Sequence, residues 1–153
     1  MSSVTMSPKT VVDDPSVGSV AWDSPDSAKT SDDAYTTNIG AGSVSDTLRD
    51  YRVSIIKSNG TIGNTNRAKT STSWPSSDTY VTYGSSSDLW GETDWSYSKI
   101  NDVDFGIVVS VYSYFNDDEY FSHYLKATNF EFDIPINATI NGVSVDIEKK
   151  EIH

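Results

Sequence analysis

Cysteine is absent from the 153-residue chain. Its absence excludes thiol nucleophiles, thiolate zinc sites, iron–sulfur clusters and disulfide staples. Histidine is almost as scarce, with only His123 and His153. Neither falls in a nucleophile or metal-binding pattern, so His123 is read as a strand-edge or loop residue. Basic residues number 11 against 22 acidic ones, a formal charge of −11, and no Lys/Arg cluster occurs. Such a chain repels phosphate backbones and anionic lipid, so neither nucleic acid nor membrane is expected as a partner. No apolar run approaches the ~18 residues that span a bilayer. The opening Met1-Ser2-Ser3-Val4 lacks the basic and apolar blocks of a secretory signal, and the mature chain is expected to begin there. A Gly-x-Ser-x-Gly elbow, a His-Glu-x-x-His helix, a Walker loop and a dinucleotide fingerprint are all missing. No catalytic residue, cofactor site or metal site is assigned, and the expectation is a protein that is not an enzyme.

The helix formers Ala, Leu, Glu, Gln and Met are sparse, while Ser and Thr make up about a quarter of the chain and Tyr occurs nine times. β-Branched and aromatic residues suit a pleated, half-buried surface, and Ser, Asn, Asp and Gly supply turns. The expected fold is therefore all-β, an antiparallel two-sheet sandwich of jelly-roll-like or immunoglobulin-like kind. One short helix is predicted at Ser96–Asn101, capped by Ser96 or Asp94. Residues 1–18 read as a flexible, extended N-terminal arm, because Pro8, Asp13-Asp14-Pro15 and Gly18 break every short apolar run. Residues 19–153 form the sandwich domain, whose first part carries an anchoring Trp22, a loop, and a short strand before the Gly40-Ala41-Gly42 break.

Strands are predicted at Tyr51–Lys57, followed by an Asn59-Gly60 hairpin turn, and at Thr79–Tyr83. The most apolar segment, Phe105–Tyr114, reads as a central strand. Two alternating runs follow: Tyr124–Ile134, with Phe130, Phe132 and Ile134 on one face, and Thr139–Glu148, with Val143, Val145 and Ile147 inward. Trp22, Trp74, Trp90, Val109 and Phe130 are assigned to the core.

Asp117, Asp118 and Glu119 offer carboxylates for a glycosidase pair or for calcium, yet an acidic run beside Asn116 reads first as a solvated turn, and no Asp-x-Asp-x-Asp-Gly loop is present. The triplets at Asn59 and Asn137 match the glycosylation pattern and read as incidental. The four tryptophans, Trp22, Trp74, Trp90 and Trp95, are flanked by Pro, Gly or turn residues, where a ring pins a loop onto a sandwich. The second reading is a glycan platform built on Trp95 and Tyr97.

Three groups of motifs occur together. They are Ala21-Trp22-Asp23-Ser24-Pro25 with Ser31-Asp32-Asp33-Ala34-Tyr35; Tyr124-Leu125-Lys126-Ala127-Thr128-Asn129-Phe130 with Ile134-Pro135 and Ala138-Thr139-Ile140-Asn141-Gly142-Val143; and Trp74-Pro75 with Asp78–Gly84 and Asp88-Leu89-Trp90-Gly91. Over residues 19–148 this set resembles a β-sandwich module that recurs in tailed-phage virion proteins and in some bacterial surface proteins. The order differs, since Leu125–Glu148 comes last here and sooner after the Trp22–Tyr35 segment in the family. A last β-unit that completes its own sheet or is swapped into a neighbouring subunit is compatible with that order. The resemblance implies a virion structural protein; with the polar arm and the acidic body, the expected role is a decoration (cement) protein on the capsid surface that binds the major capsid protein lattice as a homotrimer or another homo-oligomeric cluster. Contact with that lattice is assigned to the arm, at Ser2, Val4, Met6, Lys9, Val11 and Val12. The alternative is a head- or tail-fibre module that recognises a cell-surface glycan.

Overall fold

The structure, a computed structural model, describes residues 2–30, 37–38, 48–115 and 117–151. Its strands are β1 (Thr10–Asp14), β2 (Trp22–Asp23), β3 (Thr37–Asn38), β4 (Arg49–Ile56), β5 (Thr79–Gly84), β6 (Gly106–Phe115), β7 (Asp118–Phe121), β8 (Tyr124–Thr128) and β9 (Ser144–Lys149). A 3₁₀ turn at Pro25–Lys29 and a one-turn helix, α1 (Tyr97–Ile100), complete the elements. Ser96 caps α1 by accepting a hydrogen bond from the Lys99 N–H at 3.4 Å, as a serine before a short amphipathic turn should.

All strand pairs are antiparallel. The larger sheet runs β1-β8-β6-β4, with β7 folded back on β6; the second sheet is the pair β5-β9, and β2-β3 form a small ribbon. The fold is thus an all-β two-sheet sandwich. The described strands do not form the paired four-stranded sheets of a jelly roll.

β6 lies between β4 and β8, which explains its nearly continuous apolar sequence: Ile107, Val108, Val109 and Val111 are all buried. The core sits between the inner face of β4 and β6 (Val53, Ile55, Ile107, Val109) and the second sheet, where Val81, Tyr83, Val145 and Ile147 alternate inward. Trp90, Ile100 and Phe105 fill one end of it. Trp22 and Val109 are buried and Phe130 packs against the core, whereas Trp74 is half-buried.

A bulge in β4 decides what enters this core. Val53 opposes Val109, so unbroken alternation would bring Tyr51 inside opposite Val111. Instead Asp50 opposes Val111 and Arg52 opposes Ser110. The extra residue turns Asp50 inward, to 1 % exposure, and leaves Tyr51 49 % exposed on the surface.

The structure corrects three sequence expectations. The arm is shorter than residues 1–18, because Thr10–Asp14 pairs in register with Tyr124–Thr128 as β1. Trp22 N–H donates to Asp13 Oδ1, Trp22 Nε1 donates to the His123 carbonyl, and His123 Nδ1 lies 2.9 Å from Asp13 Oδ2, so the segment that was expected to be loose is tied down. The strand beginning at Tyr124 ends at Thr128. Asn129 and Glu131 take positive φ (55° and 58°), which breaks the β backbone while still seating Phe130, Phe132 and Ile134 against the core. The last strand begins at Ser144 rather than Thr139; Asn137, at φ 66°, sits in a turn closed by Ala138 N–H to the Pro135 carbonyl. The stretches Ser31–Tyr35 and Gly40-Ala41-Gly42, together with Asn116 and His153, lie outside the described residues.

Candidate functional site

The sequence singles out Trp95, and a polar cleft of about 250 Å³ opens beside its ring. It is lined by Lys57, Ser58, Asn59, Glu92, Asp94, Trp95 and Lys99. Two local structures bring these residues together. The Asn59-Gly60 turn follows β4: Gly60 N–H donates to the Lys57 carbonyl, Lys57 N–H donates to Thr61, and Gly60 takes φ 80°, a conformation open to glycine. The loop entering α1 supplies the rest. Trp95 is held by its Nε1–H, which donates to the Leu89 carbonyl at 2.9 Å, and by an edge-to-face contact with Phe105 at 5.6 Å.

Ion pairs set the electrostatics of the cleft. Lys57 Nζ is 3.0 Å from Glu92, and Lys99 Nζ pairs with Asp94. The Lys99 hydrogen bond holds the Asp94 carboxyl below the usual carboxylate value of 3.8. A general acid needs its carboxyl raised, and Asp94 is shifted the other way. Carboxylates, ammonium groups, an amide and a hydroxyl around one indole ring form a donor–acceptor set suited to the hydroxyl groups and apolar ring face of a sugar. Tyr97, the other sequence-predicted glycan residue, is half-buried on α1 and does not line the cleft.

The arm residues divide. Ser2, Val4 and Met6 are exposed, with Val4 at 55 %, and Val12 is 46 % exposed on β1. Val11 is 4 % exposed, turned into the protein by the alternation of β1, and this removes it from any contact surface. Lys9 is exposed but its backbone N–H is bound to the Asn129 carbonyl. The acidic run falls at the β6–β7 hairpin, where Asp117 takes φ 67° and Asp118 and Glu119 begin β7 in register with Phe115 and Tyr114. Glu119 accepts from the Tyr114 hydroxyl. Among the described residues no group of three or more His, Asp or Glu is placed to hold a metal ion, and no helix is long and apolar enough to cross a membrane.

Two features escape sequence reading. Tyr112 and Tyr114 alternate with Val109 and Val111, so they face away from the inter-sheet core. With Tyr51 and Phe121 they form a ring cluster, Tyr51 and Phe121 being 4.8 Å apart. The bulge that expels Tyr51 leaves no sequence signal. The second is a buried polar group between the sheets, formed by Asp50, Tyr83, Trp74 and Lys149. Here a signal exists, because continuing the inward alternation Val143, Val145, Ile147 by one step places Lys149 inside. Comparison with known protein families, curated proteins and solved structures finds no match.

Proposed function

We propose that the protein is a non-enzymatic structural subunit of a tailed-phage particle, a capsid decoration protein that trimerises on the major capsid protein lattice. The motif resemblance over residues 19–148 supports this reading. The observation that carries it is the N-terminal segment: residues 2–7 are exposed, and their apolar members Val4 and Met6 stand on the surface beside the edge strand β1. An extended segment of this kind lies along a neighbouring surface and buries those side chains there. The Tyr51–Tyr112–Tyr114–Phe121 cluster adds a second contact surface of the composition that protein interfaces favour. The mechanism is mass action, in which binding to the assembled lattice and not to its separated subunits stabilises the lattice. Calorimetry of particles assembled with and without the protein tests it. The expected result is a higher transition temperature with the full chain and none of that gain when residues 2–8 are deleted. An unchanged transition with full-length protein present would overturn the reading.

The cleft beside Trp95 supports a second reading, a fibre-type module that binds a cell-surface glycan. Glycan-array binding that disappears in Trp95→Ala, with the fold retained, is its expected signature. No binding by the folded wild-type chain removes it.

A further inference from the structure

The inter-sheet polar group holds an amine and a carboxyl in contact, away from water. Asp50 is 1 % and Lys149 4 % exposed. Lys149 Nζ lies 3.1 Å from Asp50 Oδ1 and donates to the Tyr83 hydroxyl oxygen at 2.7 Å. The Tyr83 hydroxyl donates in turn to Asp50 Oδ2 at 2.6 Å. Nitrogen, hydroxyl and carboxyl thus close a hydrogen-bonded ring. Trp74 Nε1–H donates to Oδ1 at 2.8 Å and the Lys69 backbone N–H to Oδ2 at 3.0 Å. The Lys149 ammonium lies over the faces of Trp74 and Tyr83, and the Lys69 ammonium lies over Tyr83 at 5.5 Å.

We propose that Lys149 and Asp50 condense into an intramolecular amide that joins β9 to β4, and so one sheet to the other. The starting state is an ion pair whose desolvation opposes its attraction. Burial, reinforced by the Lys69 charge, pushes the Lys149 ammonium towards the neutral amine, and burial beside Asp50 keeps Tyr83 protonated. Proton transfer from nitrogen to carboxylate within the ring yields a free amine and a carboxylic acid. The nitrogen lone pair attacks Cγ, and the carbonyl electron pair moves to Oδ1, where the Trp74 N–H receives it. Tyr83 then takes the remaining surplus proton from nitrogen and gives its own to Oδ2. The Cγ–Oδ2 bond breaks, one water leaves, and an amide N–H remains. Two charges vanish, and neither oxidant nor cofactor is consumed. The fixed contact supplies the proximity that drives such a condensation.

The experiment is the intact mass of the purified full chain under denaturing conditions. The expected mass is lower than that of the sequence by one water, and a protease digest contains a branched peptide joining the β4 and β9 segments. Lys149→Met and Asp50→Ala have the full sequence mass. Asp50→Asn reaches the same final mass as the wild type, because it expels ammonia instead of water. Tyr83→Phe forms the bond about a hundredfold or more slowly. A wild-type chain that is folded by circular dichroism and keeps its full mass after prolonged incubation overturns the proposal; so does a water loss that persists in Lys149→Met. The wild-type measurement decides without requiring any variant to fold.

Discussion

Gly84 closes β5 at φ 74°, and a Cβ placed there would lie 2.4 Å from the Val143 carbonyl and 2.7 Å from Trp90 Nε1. These are the two atoms that hydrogen-bond each other at 2.8 Å to fasten the Trp90 loop onto the second sheet. Left-handed backbone strain of about 1–2 kcal/mol and overpacking of about 1–3 kcal/mol then add, so Gly84→Ala is expected to destabilise by roughly 2–5 kcal/mol in a urea titration. Charged residues make a prediction of opposite character, visible only in acid. The Lys126 ammonium, 2.6 Å away, holds the Asp14 carboxyl below 3.8. Burial pushes the Asp88 carboxyl up, but Arg67 at 2.9 Å and the Trp90 N–H outweigh it, and Asp88 also lies below 3.8. A carboxyl depressed on folding contributes fully above its unfolded value, and the contribution disappears as pH falls through the folded one. Unfolding free energy should therefore hold level from neutral pH to about pH 5 and decline through and below 3.8, with a shallower decline in Asp14→Asn and Asp88→Asn.

Among the elements, the segment from Asn129 to Ile134 has no ladder to stabilise it. It is bracketed by Asn101, whose Oδ1 accepts from the Ile134 N–H at 2.7 Å and whose Nδ2 donates to the Ile134 carbonyl at 3.0 Å. Asn101→Ala leaves both backbone groups without that partner. It is expected to cost about 1–3 kcal/mol and to speed hydrogen exchange at Phe132 and Ile134 ahead of β6. This segment also marks where sequence reading of the fold stopped. Period-two apolar spacing identified Phe130, Phe132 and Ile134 as core residues, and they are; the spacing carries no record of φ, and two left-handed residues serve that pattern as well as a strand does. β6 and α1 were legible because a long apolar β-branched run and a Ser96 cap each admit one backbone. β7 was not, since Asp118-Glu119-Tyr120-Phe121 pairs only by virtue of the hairpin that returns it to β6. For the cleft, Trp95 was legible as a ring beside a turn. Lys57, Ser58 and Asn59 were not, because the turn after β4 and the α1 loop that meet there are far apart in the chain.

At the scale of the molecule, the pairings that define both sheets are long-range. β1 waits for β8 and β5 waits for β9, so loop closure precedes most of the stabilising contacts. Refolding measured by stopped-flow fluorescence should fall in the millisecond-to-second range typical of such topologies. Removing Ser144–Lys149 strips β5 of its partner together with Val145 and Ile147 of the core, and the shortened chain should show no cooperative unfolding transition.

Asp50 and Lys149 stand 99 positions apart. Once they are joined, a pull applied outside this interval travels from β9 straight into β4 and bypasses everything in between. Tension can lengthen only what lies beyond the two anchor points. β5, α1, β6, β7 and β8 are shielded from the load, and the sandwich can be tugged without being unravelled.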